Sequence, residues 1–284
     1  SASSSNPGDP GVTNDEDKRQ VFTEVDTGQS LMALDMDDTT ADGLLTPLGA
    51  ADRAEARQLI CYARGLEGCP SDGSEPATRA ARPWILSDAL HSRPLPLNYG
   101  ARSGFSKQNP DIRVLMGSND GFFHMFQNTE ASTTCGDTDT SGEVDGDEAP
   151  CTESGKENWA FMPREVMDTV KAHRNGVVPI GSPVHPIGVD GEPMVMIDAG
   201  EDKATIDSGD GDTAWVFFGL RRGGAAYYGM DISDPDEPEL MWRIDANTPG
   251  FEELALTFST PTPAVVMYGD EPVRVLVFGG GYYG

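Results

Sequence analysis

An all-β fold, a partial β-propeller, is predicted by three observations. Arg113 to Gln127, RVLMGSNDGFFHMFQ, alternates into an Asn-Asp-Gly turn and out again, as a β-hairpin whose turn accepts positive φ should. GKENWAFMPREV, Gly155 to Val166, then supplies a Trp-Ala-Phe strand that ends at Pro163. The pair recurs as WVFFGLRRGGAAYYGMDI followed by ELMWRI, and VRVLVFGGGYYG opens a third unit. A hairpin followed by a tryptophan strand, repeated, is the grammar of a propeller blade.

The elements follow in order. Ser1 to Asp17 is Ser, Gly, Pro, Asn and Asp with almost nothing to bury, and reads as a flexible or extended lead-in. Val21 to Asp37 has room for one or two short strands. AADRAEARQLICYARGL, Ala50 to Leu66, is the best helix: strong formers, an apolar side at Leu59, Ile60, Tyr62 and Ala63, and Gly65 and Gly68 to stop it. Pro70 to Thr78 is loop. From Pro83 the pattern turns to strands, so the core is expected mainly there. WILSDALHSRPLPL leads to the first hairpin, and PREVMDTVKAHR forms a short helix with Pro163 in its first turn. EPMVMIDAG, AWVFFGLRRGGAAYYGMDI, PELMWRI, STPTPAVVMY and PVRVLVFGGGYYG supply further strands. The expected division is a lead-in segment over 1–80, with one helix at about 50–66, and a propeller portion over 81–284. About three blades are expected where closed propellers typically have four to eight, which reads as a propeller truncated at its C-terminal end.

Composition narrows the function. The net charge is −27 and the sequence pI about 4.2. Such a surface repels phosphate backbones and anionic lipid, which argues against nucleic-acid binding. No apolar run approaches the ~20 residues of a membrane span. The chain opens with SASSSNPGDP and not with a signal peptide. The four cysteines form two close pairs, Cys61 with Cys69 and Cys135 with Cys151, which predicts two disulfides in an oxidising compartment. A zinc site fits poorly, because there is no C-x-x-C spacing and the four histidines are scattered. Export then implies a processed or trimmed chain.

Cys135 and Cys151 bracket an acidic loop. Counted from Asp137, it matches the spacing of a twelve-residue calcium loop. Asp137, Asp139 and Ser141 fill the first three side-chain positions. Gly142 takes the sharp turn, Glu143 offers its carbonyl, Asp145 follows, and Glu148 closes as the bidentate ligand. Cysteines flank this loop instead of two helices, and a disulfide could serve as the clamp. The competing reading is a solvated acidic insertion. DMDDTTADG at Asp35 and DSGDGD at Asp207 lack this spacing.

No G-x-S-x-G elbow, H-E-x-x-H helix or P-loop occurs, so no enzyme is predicted. His124 lies mid-strand and reads as a packed or edge residue. His91, His173 and His185 have no evident partner. Arg221 and Arg222 sit at a hairpin tip, either solvated or bridging to an acidic neighbouring blade. Tyr227, Tyr228, Tyr282 and Tyr283 read as blade packing.

These motifs together resemble one family, the PilY-type or PilC-type tip proteins of type IV pili. LSDALHSRP is similar to its L-G-D-x-x-H-S-x-P strand, and VLMGSNDGFFHMF to its V-x-x-G-x-N-D-G-x-x-H-x-F hairpin. GKENWAFMPREV resembles G-x-E-x-W-A-F-x-P, and IGVDGEPMVMID resembles V-D-G-x-P. FFGLRRGGAAYYGMDISDP resembles G-x-R-x-G-G-x-x-Y-Y-A-L-D-V-T-x-P. ELALTFSTPTPAVV resembles L-G-x-x-W-S-T-P, with Phe258 in place of tryptophan. The order holds from about Ala50, where ICYARGLEG resembles the family's W-I-R-G helix end, to Gly284. The family's own calcium loop has no counterpart here, and the Cys135–Cys151 loop looks like an insertion of this sequence.

The resemblance implies an exported, non-enzymatic propeller at the pilus tip, on the cell surface or associated with the outer membrane, periplasmic in transit. It implies minor pilins as partners, with a host or abiotic surface as a further one, and a role in pilus assembly, adhesion and twitching motility. The alternative is a quinoprotein-like propeller dehydrogenase, in which a Gly-Lys-x-x-Trp segment docks blades. Gly155 to Trp159 fits that segment, but only once.

Overall fold

The computed structural model describes residues 19–25, 30–74, 76–77, 80–132, 153–176, 185–200 and 205–282. Among them, three sheets carry most of the regular structure. The first is built from β1 (Val21–Glu24), β2 (Leu31–Ala33), β3 (Leu95–Asn98), β4 (Ile112–Gly117), β5 (Phe123–Thr129) and β6 (Glu153–Phe161), in the order β2-β1-β6-β5-β4-β3. The second contains β7 (Met194–Asp198), β8 (Thr213–Gly219), β9 (Tyr227–Asp231) and β10 (Glu239–Ile244), ordered β10-β9-β8-β7. The third pairs β11 (Thr262–Tyr268) with β12 (Glu271–Val277). The protein is thus mostly sheet, with two four-strand antiparallel meanders in sequence.

Both predicted hairpins form. β4 and β5 pair from Arg113–Gln127 to Gly117–Phe123, and Gly121 adopts φ +97° in the turn. β8 and β9 pair from Trp215–Asp231 to Gly219–Tyr227. Each is followed by its tryptophan strand, with Trp159 opposite Met125 and Trp242 opposite Gly229. The predicted helix is α2 (Arg53–Ala63), started by the Asp52 carboxylate on the Glu55 N–H. The Cys61–Cys69 disulfide ties its last turn to the loop beyond. PREVMDTVKAHR gives a 3-10 turn after Pro163 and then α3 (Asp168–Asn175), ended by Gly176 at φ +62°.

The core lies mainly after Pro83, as expected, but in two clusters. One core lies between the first two sheets, around Leu115, Phe123, Trp159, Phe218 and Tyr228. A second one includes many residues that precede Pro83: Val21, Leu34, Leu44, Leu48, Leu59 and Ile60, closed by Phe122, Met162 and Val170. The segment before residue 80 supplies a strand to the first sheet and side chains to the second cluster. β1 runs parallel to β6, with Ala160 N–H on Gln20 O at 2.9 Å and Met162 N–H on Phe22 O at 2.8 Å. Local pattern could not reveal this pairing, because a parallel partner may lie any distance along the chain.

A helix that the sequence reading did not name, α1 (Asp38–Gly43), occupies the first acidic run. Asp37 caps it by accepting from the Thr39 and Thr40 N–H groups at 2.8 and 3.0 Å. Asp38 and Asp42 pair with Arg53, and Asp35 with Arg64. In the second run, Asp207 accepts from Gly209 N–H and Asp212 from Gly200 N–H. These carboxylates satisfy backbone and arginine groups.

Candidate functional site

The family-like motifs converge at two ends of the interface between the first and second sheets. One end forms because β4 turns Arg113 inward. Its guanidinium, 3% exposed, binds Asp111 through two bonds of 2.6 and 2.9 Å and Asn158 Oδ1 at 2.7 Å. Asn158 Nδ2 and Trp159 Nε1 both donate to the Pro235 carbonyl, and Tyr99 donates to the Ile232 carbonyl at 2.7 Å. The Asp-Ile-Ser-Asp-Pro segment after β9 is thereby held by the Trp-bearing strand of the neighbouring sheet.

At the other end, Asp190 is completely buried as a side chain and receives three groups distant in sequence. His91 Nδ1 lies 2.8 Å from Oδ1, while Arg221 Nη1 and Arg222 Nε each lie 3.1 Å from Oδ2. Arg221 and Arg222 do bridge to an acidic group, but Asp190 leads into β7 of their own sheet and not into a neighbouring blade. Arg221 takes φ +56°, and its guanidinium lies over the Phe258 ring at 5.2 Å. Asn119 bonds Asp88 twice, by N–H to the carbonyl at 2.9 Å and by Nδ2 to Oδ2 at 2.8 Å. His173 lies 2.8 Å from the Asn119 carbonyl, and His185 lies 3.5 Å from Asp88, so each histidine has a partner.

Glycine is required where these loops cross. A Cβ on Gly191 would sit 2.0 Å from the Gly219 carbonyl oxygen, and one on Gly223 would sit 1.9 Å from that of Gly188. Backbone meets backbone there, so neither position can yield by moving a side chain.

His124 is a buried residue, as expected, but its surroundings imitate a catalytic triad. Ser118 Oγ lies 2.7 Å from Nε2, and Glu157 Oε1 lies 2.7 Å from Nδ1. Asp120 stands 3.4 Å from Nε2, and Arg19 pairs with Glu157. Burial disfavours the imidazolium, yet Asp120 and Glu157 outweigh it and raise the His124 pKa. Burial likewise opposes both carboxylates. The His124 charge holds Asp120 at about 2, and Arg19 with His124 holds Glu157 at about 2. The Ser118 hydroxyl donates to Asp120. This arrangement ties the start of β1 to β5 and β6.

Glu24 plays a similar part deeper down. It accepts from Arg164 N–H at 3.1 Å and the Tyr228 hydroxyl at 3.2 Å, and lies 3.4 Å from Arg243. Burial raises its pKa despite these donors. Tyr227 and Tyr228 pack as predicted, whereas the Tyr282 ring is 64% exposed, and Tyr283 lies outside the described residues.

Sequence reasoning named Arg221, Arg222 and His91 but not their common acceptor. His91 and Asp190 are 99 residues apart, and only the motif V-D-G marked the aspartate. The predicted calcium residues Asp137, Asp139, Ser141, Glu143, Asp145 and Glu148, with Cys135 and Cys151, lie outside the described residues. Among the described residues, no group of three or more His, Cys, Asp or Glu side chains could hold a metal. None of the described helices is long and apolar enough to cross a membrane.

No family model matches the chain. It is 27% identical over 220 residues to "Type IV pilus biogenesis factor PilY1" of Pseudomonas aeruginosa strain UCBPP-PA14, covering 71% of this chain and 15% of that protein. Against the protein of the same name from strain PAO1, identity is 30% over 173 residues, covering 60% of this chain and 11% of the relative. The chain thus spans less than a sixth of these relatives' length. Among solved structures, the P. aeruginosa PilY1 C-terminal domain aligns at TM-score 0.35 and 25% identity, covering 62% of this chain and 26% of that one. The ordered motifs and these sequence matches agree: the chain is related to the PilY1-type proteins of type IV pili.

Proposed function

We propose that this chain forms blades of a β-propeller in a non-enzymatic protein of the type IV pilus tip. There it supports pilus assembly, surface attachment and twitching motility, with minor pilins as partners. The observation that carries the reading is where the motif residues go. His91, ahead of the first sheet, and Trp159, within it, bind Asp190 and the Pro235 carbonyl of the second, while Asn119 holds Asp88 and Arg221 holds Asp190 beside their own sheets. A rigid disc that presents loops suits an extracellular scaffold, and the Cys61–Cys69 disulfide suits an exported one. Two successive antiparallel meanders, each ending in a tryptophan strand, support the propeller architecture. Deleting the gene should reduce surface pili, twitching and adhesion together. Unchanged piliation, twitching and adhesion would refute the assignment.

We further propose one calcium ion in the loop bracketed by Cys135 and Cys151. Asp137, Asp139, Ser141, Asp145 and Glu148 would bind through side chains and Glu143 through its carbonyl. The crowded carboxylates repel one another, and a divalent cation relieves that repulsion. Calorimetry on the oxidised protein should show binding that the double substitution Asp137→Ala, Glu148→Ala abolishes. Absence of calcium heat at millimolar concentration would make the loop a solvated acidic insertion.

A further inference from the structure

We propose that the cleft between α2 and the 82–87 segment binds a carboxylate-bearing saccharide. Trp84 would serve as the ring platform, and Arg82, held over the Tyr62 ring, and Arg174 would take the carboxylate. A cavity of about 170 Å³ lies there, lined by Tyr62, Arg82, Trp84, Ser87, Asp120 and His173 among others. It shares Tyr62, Arg82 and Trp84 with a shallower depression of about 700 Å³ that reaches Cys69 and Arg174. A cavity of ~150 Å³ is enough for one six-membered ring.

Trp84 is 83% exposed at the mouth. An indole left in water beside a cavity offers a flat apolar face, and the C–H face of a sugar ring matches it. The lining also includes the Asp120 carboxylate and Ser87, polar groups beside the apolar Trp84 face.

The charges point to an acidic sugar. In a chain of net charge −27, most described arginines pair with carboxylates, including Arg19, Arg53, Arg64, Arg113 and Arg243. Arg82 and Arg174 form no ion pair with the described residues, and both face this cleft. Arg82 is held in place: it donates to the Tyr62 and Trp84 carbonyls at 3.1 and 3.2 Å and stacks 3.7 Å over the Tyr62 ring. Its Nε is buried without an acceptor. A half-buried guanidinium that no carboxylate of the described residues pairs with favours a counter-anion. Asp120 and the acidic surface disfavour a multiply charged phosphate, while a single carboxylate on a hydroxylated ring meets both signs of charge. The Cys61–Cys69 disulfide fixes the wall from which Tyr62 projects.

The inference deepens the attachment role proposed above by naming a class of surface ligand. It is tested apart from that role, on the purified oxidised protein at low salt. Sodium glucuronate should quench Trp84 fluorescence saturably and give calorimetric heat. Glucose, which has the ring without the charge, and acetate, which has the charge without the ring, should each bind at least roughly tenfold more weakly. Arg82→Gln and Trp84→Ala should each lower glucuronate affinity about tenfold or more, and added salt should weaken it. Should Arg82→Gln fail to fold by circular dichroism, Trp84→Ala decides alone, because that side chain is 83% exposed. Absence of saturable glucuronate binding at millimolar concentration overturns the inference. So does acetate binding equal to glucuronate, or Trp84→Ala binding like wild type. A pilus defect in the gene deletion would stand in any of these cases.

Discussion

The first and second sheets meet across a closed aromatic seam, whereas the second and third leave an apolar cleft of about 620 Å³ between them. The two interfaces use the same repeat. Trp159 and Trp242 occupy matching strands, each following its hairpin. Trp159 is fully buried near Phe123, which stacks on Phe218 at 4.2 Å, and its indole N–H reaches the Pro235 carbonyl. Trp242 stacks on Phe217 at 5.7 Å, and its side chain also lines the open cleft with Met241, Phe251 and Phe278. Facing it is a two-stranded sheet whose Val265, Met267 and Tyr268 are 66%, 64% and 83% exposed. One sequence unit thus packs against a four-stranded sheet at the first interface and against a two-stranded one at the second. The charged clasps follow the same division: Asp190 and Pro235 receive their donors across the closed seam.

Truncating the two tryptophans gives the sharpest break in this comparison. Trp159→Ala should cost about 3–5 kcal/mol in denaturant unfolding, the range for a large aromatic removed from a core. Trp242→Ala should cost less than half as much, because one side of that indole already faces a cleft. Equal losses would mean that both interfaces are closed in solution.

Acid should act next, through the His124 network. Glu157 and Asp120 both fold with carboxyls at about 2, so the folded state binds fewer protons than the unfolded chain. Their contribution is complete above the ordinary carboxylate range near pH 4 and is lost as pH falls through about 2. The loss should be on the order of 3 kcal/mol. His124 has the opposite sign: its raised pKa stabilises the fold below the unfolded value of about 6.5, and that share fades as pH rises through the folded value. Urea midpoints measured from pH 2 to 9 should therefore fall on both sides, and His124→Gln should flatten the alkaline limb. An unchanged alkaline limb in that variant would break the assignment.

The smallest effect should come from Asp190→Asn, which keeps the shape but removes the charge that His91, Arg221 and Arg222 share. A loss of about 2 kcal/mol is expected, since hydrogen bonds to charged groups contribute about 1.5–3 kcal/mol and the partners His91, Arg221 and Arg222 stay partly exposed to water. Because the clasp lies at the opposite end of the seam from the Trp159–Pro235 bond, the loss should add to that of either tryptophan substitution in a double-mutant cycle.

Much of the molecule was legible because its signals are local. Alternation around Asn119-Asp120-Gly121 specified the first hairpin, and the helix formers between Ala50 and Leu66 specified α2. The eight-residue spacing of Cys61 and Cys69 matched a short loop that a disulfide closes. Even α1 was marked, since Asp37 before Asp38-Thr39-Thr40 is a capping pattern, although a run of acids obscured it. The tertiary structure alone decided the rest. It set β1 parallel to β6 and drew the residues before Pro83 into a second core. It also brought His91, Arg221 and Arg222 to Asp190, and turned His124, Ser118 and Glu157 into a latch that only resembles a triad. Turns and helix caps need neighbours a few residues away. A buried carboxylate needs cations from wherever the chain happens to return, and no spacing within the sequence records that distance.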